Sequence, residues 1–273
     1  MDSDDSDFYG DATTVSHLRK RVNNFDIDLW AQQQRLHPGR PQQTVDDFLR
    51  RLPPATTDQT NECPWIFICN PYIRRVHKQQ SESQFSKGNE NEAPEEEGSK
   101  IELITAGGLE RLHLITEYVE GMERSGKRKP FIEKEVGKER KKAVDDILHL
   151  AHLGKVRTGK WMLFCSVTEV NEVWEIVVKA TANNELGIAA KVAPRSQTQD
   201  PRKDRLLCVY TADFADKVDV KRVLQKLREL KLVETRSRPI YYKPDAFTYI
   251  GISSGNPWGV RASIYSSTDV FLS

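Results

Sequence analysis

The stretch from Gly159 to Pro194 decides the fold class: GKWMLFCSVTEVNEVWEIVVKATANNELGIAAKVAP. Residues 159–167 form an apolar run that is typical of a buried strand. A helix over residues 168–184 follows, because apolar residues recur there at the spacing of one helix face: Val173, Trp174, Val177 and Ala180. Gly187 closes this helix, and GIAAKVAP forms the next strand. The stretch therefore predicts a strand, a helix and a second strand.

The rest of the chain continues this mixture. Apolar runs bounded by turn residues predict further strands in PWIFICNP, RLLCVYT, PIYYKP, TYIGI and RASIYS. Helical spacing predicts helices over residues 44–51, 108–122 and 133–153, and another that begins after Asp216, whose carboxylate caps it. Because many strands are joined by loops too short for a crossover, we expect the α+β class.

Composition bounds the partners and the compartment. The 273 residues carry a formal net charge of +1, which excludes a strong global attraction to nucleic acid and leaves only local basic patches. The acidic N-terminus lacks the apolar core of a signal peptide, and no apolar run approaches the ~20 residues of a membrane span. The four cysteines form no CxxC pair, which predicts reduced, mostly buried thiols. We expect a soluble cytoplasmic protein, with the nucleus as a second location and no membrane partner.

Polar segments set the expected domain boundaries. Residues 1–60 are polar, and we expect a flexible N-terminal segment with one short helix. Residues 78–100 are acidic and almost free of large apolar side chains, so they cannot bury enough surface to offset the entropy of ordering. They are predicted to be a disordered insertion in a single domain over residues 61–273. Acidic segments of this kind also suit the docking of protein partners.

Positive charge is concentrated in the connection KVAPRSQTQDPRKDRLLCVYT, residues 191–211. Its basic residues after the first strand are Arg195, Arg202, Lys203 and Arg205. Two aspartates of the same loop partly neutralise them. The residues alone leave two interpretations open, a hairpin with a solvated basic loop or a site that grips an anion.

Two motifs are rejected on their context. Gly154 to Lys160 (GKVRTGK) spells most of a phosphate-binding P-loop, but Trp161 stands where a hydroxyl must bind magnesium, and a helix precedes the motif instead of following it. His149 and His152 have the spacing of two metal ligands, yet no third ligand cluster accompanies them. No nucleophile elbow or carboxylate dyad is visible either. We therefore expect a non-enzyme without cofactor or metal.

Long blocks of sequence carry a resemblance to a known family. The opening stretch, LLCVYTADFADKVDVKRVLQKLRELKL and YYKPDAFTYIGISSGNPWGVRASIY resemble the basophilic leukaemia-expressed protein family, an uncharacterised eukaryotic family, and PWIFICNP resembles its first strand. That family is similar in fold to the mRNA cap-binding translation initiation factors of the 4E type. The resemblance implies a curved, mainly antiparallel sheet with helices on its convex face and a concave surface for a ligand.

The more distant resemblance to the cap-binding proteins implies phosphate-binding residues. The motif Gly159-Lys160-Trp161 resembles their Gly-Arg-Trp strand, and the strand GIAAKVAP then resembles the one whose end presents an arginine to the cap phosphates. Arg195 takes that position, and three neighbours add charge: Arg202, Lys203 and Arg205. Trp161 and Trp174 are interpreted as core residues.

The residues with which the cap-binding proteins hold the base have only a partial counterpart in this sequence. Their Pro-x-Trp-Glu pattern corresponds to Pro130-Phe131-Ile132-Glu133, so the resemblance implies Phe131 as a stacking ring and Glu133 at the base edge. Tyr72 is a candidate for the opposite ring. Near the C-terminus Lys243, Trp258 and Arg261 lie around glycine-rich turns, where tryptophan can stack on a base and arginine can hold its phosphate. The alternative is that Trp258 packs against the end of a hairpin.

Two classes of function follow from these observations. The first is a non-catalytic module that binds an RNA 5′ end, a nucleotide or another phosphorylated ligand on the concave surface. The second is a protein-interaction scaffold that kept the fold and lost the ligand site. An enzyme acting on a small phosphorylated substrate is a third class, for which the sequence offers no residue constellation. We expect the first class.

Overall fold

A computed structural model of the chain describes residues 44–61, 63–73, 96–198, 200, 202–234 and 238–272. Residues 1–43, predicted to be flexible, and residues 78–95 of the predicted insertion lie outside this part of the chain. The last residues of the predicted insertion, 96–100, make backbone hydrogen bonds. The Lys100 amide donates to the Gly154 carbonyl at 2.8 Å, and the Ser99 amide donates to the Glu96 carbonyl at 3.1 Å.

The described part of the chain contains seven helices and six strands. The helices are α1 (Val45–Arg51), α2 (Ile101–Arg124), α3 (Lys129–Leu153), α4 (Val170–Ala182), α5 (Lys217–Glu229), α6 (Asp245–Tyr249) and α7 (Ser267–Leu272). The strands are β1 (Ile66–Cys69), β2 (Gly159–Cys165), β3 (Ala189–Val192), β4 (Arg205–Thr211), β5 (Tyr241–Pro244) and β6 (Tyr265–Ser266). These residues divide into two compact units. The first comprises residues 44–73, 160–242 and 265–272, and the second comprises residues 96–159 and 243–264.

The strands form one open antiparallel sheet in the order β1-β3-β4-β2-β5-β6. In the β1–β3 pair Ile66 lies opposite Val192 and Cys69 opposite Ala189. The same two residues of β3 lie opposite Leu207 and Tyr210 of β4. The expected α+β class with a mainly antiparallel sheet is therefore confirmed.

One face of this sheet forms the core of the first unit. Trp161 and Trp174 are fully buried, so their prediction as core residues is confirmed. The indole Nε1 of Trp161 donates to the carbonyl of Val220 in α5 at 3.1 Å, and the Tyr242 ring stands edge-on to it at 5.3 Å. Helices α4 and α5 add buried apolar side chains: Val173, Val177, Val223, Leu224 and Leu227. The helices thus cover this face because their apolar residues repeat at helical spacing.

The second unit is built on the packing of α2 against α3. Its core is an apolar cluster from α2, α3 and α6: Leu112, Ile115, Ala143, Ile147 and Phe247. At the edge of this contact the Arg111 guanidinium bridges the two helices, since it lies 2.6 Å from a Glu139 oxygen and 2.8 Å from an Asp146 oxygen. Hydrophobic burial and this bridge together fix α3 on α2 with one face outward.

Several sequence predictions need correction here. The helix predicted over residues 108–122 begins at Ile101 and ends at Arg124. TYIGI is not a strand: Thr248 and Tyr249 complete α6, and Ile250 ends it. Aromatic and β-branched residues favour strands on average, but Phe247 and Ile250 are three apart, and this helical spacing buries both in the cluster of the second unit. The helix predicted over residues 133–153 begins four residues earlier, at Lys129, with Pro130 in its first turn.

The structure shows where the P-loop-like segment and the histidine pair lie. Gly154 follows the last residue of α3, and β2 begins at Gly159, so a helix precedes the P-loop-like segment and a strand follows it, as predicted. His149 is exposed on α3 and His152 is half-buried. Within the described ranges, no group of three His, Cys, Asp or Glu side chains is arranged to hold a metal ion. None of the helices described is both long and apolar enough to cross a membrane.

Gly187 provides a test of the sheet packing. A Cβ at this position would lie 1.7 Å from the carbonyl oxygen of Tyr210, which also accepts a 2.9 Å hydrogen bond from the Ile188 amide. We expect Gly187→Ala to lower the free energy of unfolding by about 1–3 kcal/mol, because the strand backbones must move apart. Denaturant titration followed by circular dichroism measures this loss.

The matched control is Gly137→Ala on the exposed side of α3. An added Cβ there meets no atom within 4 Å. The same substitution should therefore raise the free energy of unfolding by roughly 0.5–1 kcal/mol, since alanine is the better helix former. Two substitutions with the same sign and size would contradict this description of the sheet.

Candidate anion-binding site

Arg195 follows β3 and is held by a second segment of the chain. Its backbone amide donates to the Thr57 carbonyl at 2.7 Å, and its carbonyl accepts from the Gln59 amide at 2.8 Å. These bonds make a short parallel bridge between Arg195 and Asp58. The side chains pair as well, because Arg195 Nε donates to Asp58 Oδ1 at 2.7 Å while both side chains stay 43% exposed. The guanidinium is therefore oriented and still open to solvent.

The Asp58–Arg195 pair keeps both charges through the neutral range. The hydrogen bond from Arg195, with its positive charge, lowers the pKa of Asp58 below its ordinary value of 3.8. The same hydrogen bond and the carboxylate charge raise the pKa of Arg195. A guanidinium carries five N–H donors in a planar fork. Among the described residues only its Nε donor has a hydrogen-bond partner, so the two Nη groups are available for an anion.

Arg202 and Lys203 lie exposed in the turn before β4. Asp200 shapes this turn: its carboxylate accepts from the Arg202 amide at 2.9 Å, and its carbonyl accepts from the Lys203 amide at 3.0 Å. Arg202 and Arg195 thus belong to the same connection between β3 and β4. The turn supplies positive charge at the surface.

Arg205 is placed differently from the other basic residues of the loop. It begins β4 and is only 4% exposed, and its Nη1 donates to the Lys203 carbonyl at 2.7 Å. Side chains alternate between the two faces of a strand, so Arg205 lies on the same face as Leu207 and Val209. Cys208 and Tyr210 lie on the opposite face. The structure therefore gives Arg205 a position inside the sheet rather than beside Arg195 at the surface.

Tyr72 and Arg195 lie at opposite ends of the β1–β3 pair. Tyr72 follows Cys69, which is paired with the first residue of β3, whereas Arg195 follows the last residue of β3. Tyr72 is exposed, and its amide donates to Asn70 Oδ1 at 3.0 Å. The two predicted ligand residues are not brought together.

Phe131 and Glu133 lie in the first turns of α3, in the second unit. They are two residues apart, which in an α-helix separates side chains by about 200°. Phe131 is 46% exposed with Lys127 Nζ 5.0 Å from its ring centre, while Glu133 points along another side, where Lys129 lies 4.0 Å away. One base cannot contact both side chains as the cap-binding pattern requires.

The C-terminal candidates also lie in the second unit. Trp258 is half-buried against the apolar cluster of α2, α3 and α6, and its carbonyl accepts from Arg140 Nε at 2.7 Å. This geometry favours the packing interpretation of Trp258. Arg261 is exposed and Lys243 is half-buried in the same unit.

A comparison with known protein families adds an independent finding. Residues 34–251 match the family described as Basophilic leukemia-expressed protein Bles03. The chain belongs to this family. The match spans well over half of the 273 residues and covers both the Asp58–Arg195 pair and the strands around it. The family resemblance predicted from the sequence is thereby confirmed.

Two residues of this Bles03 family member were missed by sequence reasoning. Trp65 precedes β1 and therefore lies at the same end of the β1–β3 pair as Arg195. Lys191 of β3 is 2% exposed, and its ammonium lies 4.1 Å from the centre of the Trp65 ring. Lys191 lies within β3, and Arg195 follows three residues after Val192, the last residue of that strand. The available signal was a lysine within an apolar strand, AAKV.

A second lysine of the sheet is also buried. Lys160 of β2 is 4% exposed, with its ammonium 5.4 Å from the centre of the Tyr210 ring. Lys191 approaches the same ring at 5.8 Å. Two buried lysines thus lie around one tyrosine, and its ring makes cation–π contacts with both ammonium groups.

The thiols lie partly within the same strands. Cys165 and Cys208 are buried, and burial raises the pKa of Cys69 and of Cys165 to about 12. Cys63 is half-buried beside Trp65, with a pKa raised by burial. All four are free cysteines, as the sequence predicted. Thiols held neutral in this way are poor nucleophiles at neutral pH.

The Asp58–Arg195 pair predicts an acid titration. Asp58 should titrate below 3.8 in the native protein, and Arg195→Gln should raise its pKa towards that value because the charged donor is removed. The sign follows from the lowered pKa: the pair stabilises the fold above pH 3.8 and loses this effect as the pH falls through the native pKa. The pKa of Asp58 can be measured by NMR of its carboxyl carbon across the acid range. An unchanged pKa in Arg195→Gln would show that the two side chains do not pair in solution.

Proposed function

We propose that the protein is a non-catalytic module that binds a phosphorylated ligand, an RNA 5′ end or a nucleotide, with Arg195 as the phosphate-binding residue. One observation carries the proposal: Arg195 is half-exposed, charged and oriented by Asp58 at the end of β3. Trp65 and Lys191 lie at the same end of this strand pair. A cation beside an aromatic ring is the combination that recognises the phosphate and base of a nucleotide.

The preorganisation of Arg195 favours this role. A flexible arginine loses side-chain entropy when it binds, whereas Asp58 and the backbone bridge have already restricted Arg195. Arginine can also use the two donors at one edge of its fork for a bidentate contact with phosphate. Asp58 offsets part of the positive charge, so Arg202 and Lys203, exposed in the same connection, supply further attraction.

As part of the same proposal, the sheet of the first unit has the fold of the 4E-type cap-binding proteins. Three features support it: the open antiparallel sheet, the helices over one face, and the core position of Trp161 in the strand GKWMLFC. The base would then be held differently from a cap between two tryptophans, because Phe131 and Glu133 diverge around α3. Trp65 is the aromatic residue that we assign to the base.

Ligand titration tests the proposal directly. The ligands are 7-methyl-GTP, GTP, guanosine and a short RNA with or without a 5′ phosphate, measured by calorimetry. We expect saturable binding of GTP and 7-methyl-GTP but not of guanosine, and tighter binding of the RNA when it carries a 5′ phosphate. Arg195→Ala should weaken the binding of GTP and 7-methyl-GTP about tenfold or more, since a hydrogen bond to a charged group is worth about 1.5–3 kcal/mol. Trp65→Ala should lower the affinity for nucleotides more than it lowers the affinity for inorganic phosphate.

Arg222→Ala is the matched control. Arg222 forms a similar exposed pair, with Asp219 at 2.7 Å, but it lies on α5. Arg222→Ala should change the affinity for GTP by no more than about twofold, because an exposed surface ion pair away from the site contributes little. If no phosphorylated ligand binds, or if both arginine variants lose affinity equally, the proposal fails. The protein-interaction scaffold would then take its place, and its partners should survive nuclease treatment.

A further inference from the structure

The first half of α3 has a strongly basic outer face in the second unit. We call this surface the basic stripe and define it by Lys127, Arg128, Lys134, Lys138, Lys141 and Lys142, all of which are exposed. Residues 127–142 contain eight Lys or Arg and three Glu, a net charge of +5, although the whole chain carries only +1. The positive charge is thus concentrated on one short segment, which attracts polyanions locally.

Helical geometry puts these lysines on one side. The spacing from Lys134 to Lys138, Lys141 and Lys142 is four, three and one residues, so within the helix they project over an arc of about 100°. The opposite side of α3 is buried through Val136, Ala143 and Ile147. Packing against α2 therefore orients the stripe to solvent.

The acidic residues of this segment are engaged by neighbouring cations. Glu139 contacts Arg111 at 2.6 Å, Glu135 contacts Lys138 at 2.7 Å, and Glu133 lies 4.0 Å from Lys129. No carboxylate of the described residues forms an ion pair with Lys134, Lys141 or Lys142. These three ammonium groups remain available to an external anion.

Phe131 distinguishes the stripe from a merely solvated basic face. It is 46% exposed, lies on the same side of α3 as Lys138, and has Lys127 Nζ 5.0 Å from its ring centre. An exposed aromatic ring among lysines suits single-stranded nucleic acid, whose bases stack on the ring while its phosphates meet the cations. A membrane would favour several apolar side chains on such a face, and Phe131 is the large apolar residue here.

We propose that the basic stripe binds single-stranded RNA, with the lysines on the phosphates and Phe131 stacked on a base. From Phe131 to Lys142 the helix rises about 17 Å, which matches a few nucleotides of an extended strand. This site is separate from the Arg195 site and does not depend on it. It lies in the second unit and needs no 5′ phosphate.

Salt-dependent binding of the full chain to a short fluorescent RNA without a 5′ phosphate tests the proposal. We expect Lys141→Gln with Lys142→Gln to weaken binding and to reduce the slope of log affinity against log salt by about 1.4, because each phosphate contact contributes about 0.7 for single strands. Phe131→Ala should weaken binding about fivefold or more with an unchanged slope, and Phe131→Tyr should retain most of the affinity.

The charge-matched control replaces two lysines of α5, Lys217→Gln with Lys221→Gln. It should leave both affinity and slope unchanged, as should Arg195→Ala, which separates this site from the phosphate site. If the two lysine double variants lost equal amounts of RNA affinity, the binding would be a general attraction to positive charge, and the proposal would be overturned. Absence of saturable RNA binding would overturn it too. Binding to anionic lipid vesicles in place of RNA would assign the stripe to a membrane surface instead.

Discussion

The backbone bridge between Arg195 and residues 57–59 is the constraint on which the candidate site depends. Two hydrogen bonds, of 2.7 Å and 2.8 Å, join segments that are more than 130 residues apart in sequence. They form an isolated parallel bridge three residues beyond Val192, the last residue of β3, and bring Asp58 within 2.7 Å of the Arg195 guanidinium. Without this bridge Arg195 would belong to an ordinary solvated loop. With it, one arginine has a defined direction at the end of a sheet strand.

The sheet then decides which neighbours can cooperate with Arg195. Antiparallel pairing brings Trp65 to the same end of β1–β3 and sends Tyr72 to the other. Strand alternation puts Arg205 on the opposite face from Tyr210. The strand register of this sheet therefore separates residues that look equivalent in the sequence. It also places Trp65, instead of the expected Tyr72, at the same end of the β1–β3 pair as Arg195.

Local patterns allowed much of the fold to be predicted, whereas the site depended on distant contacts. Thr44 and Asp216 cap their helices as their residue types indicate, the buried face of α5 follows helical spacing, and the residues of α4 predicted to face inward are all buried. The pairing of Arg195 with Asp58 and the burial of Lys191 could not be predicted, because both depend on strand pairing across long sequence separations. TYIGI shows the same limit: strand propensity was overridden when helical spacing allowed Ile250 to reach the core.

The central claim is that Arg195, held by Asp58, contacts the phosphate of a ligand. Side-chain NMR of the arginine guanidinium groups during titration with GTP, and separately with guanosine, tests it most directly. The account predicts that the Arg195 Nε and Nη signals shift saturably with GTP and stay unchanged with guanosine, while those of Arg222 stay unchanged with both. Saturable binding of GTP that leaves the Arg195 signals in place would contradict the account.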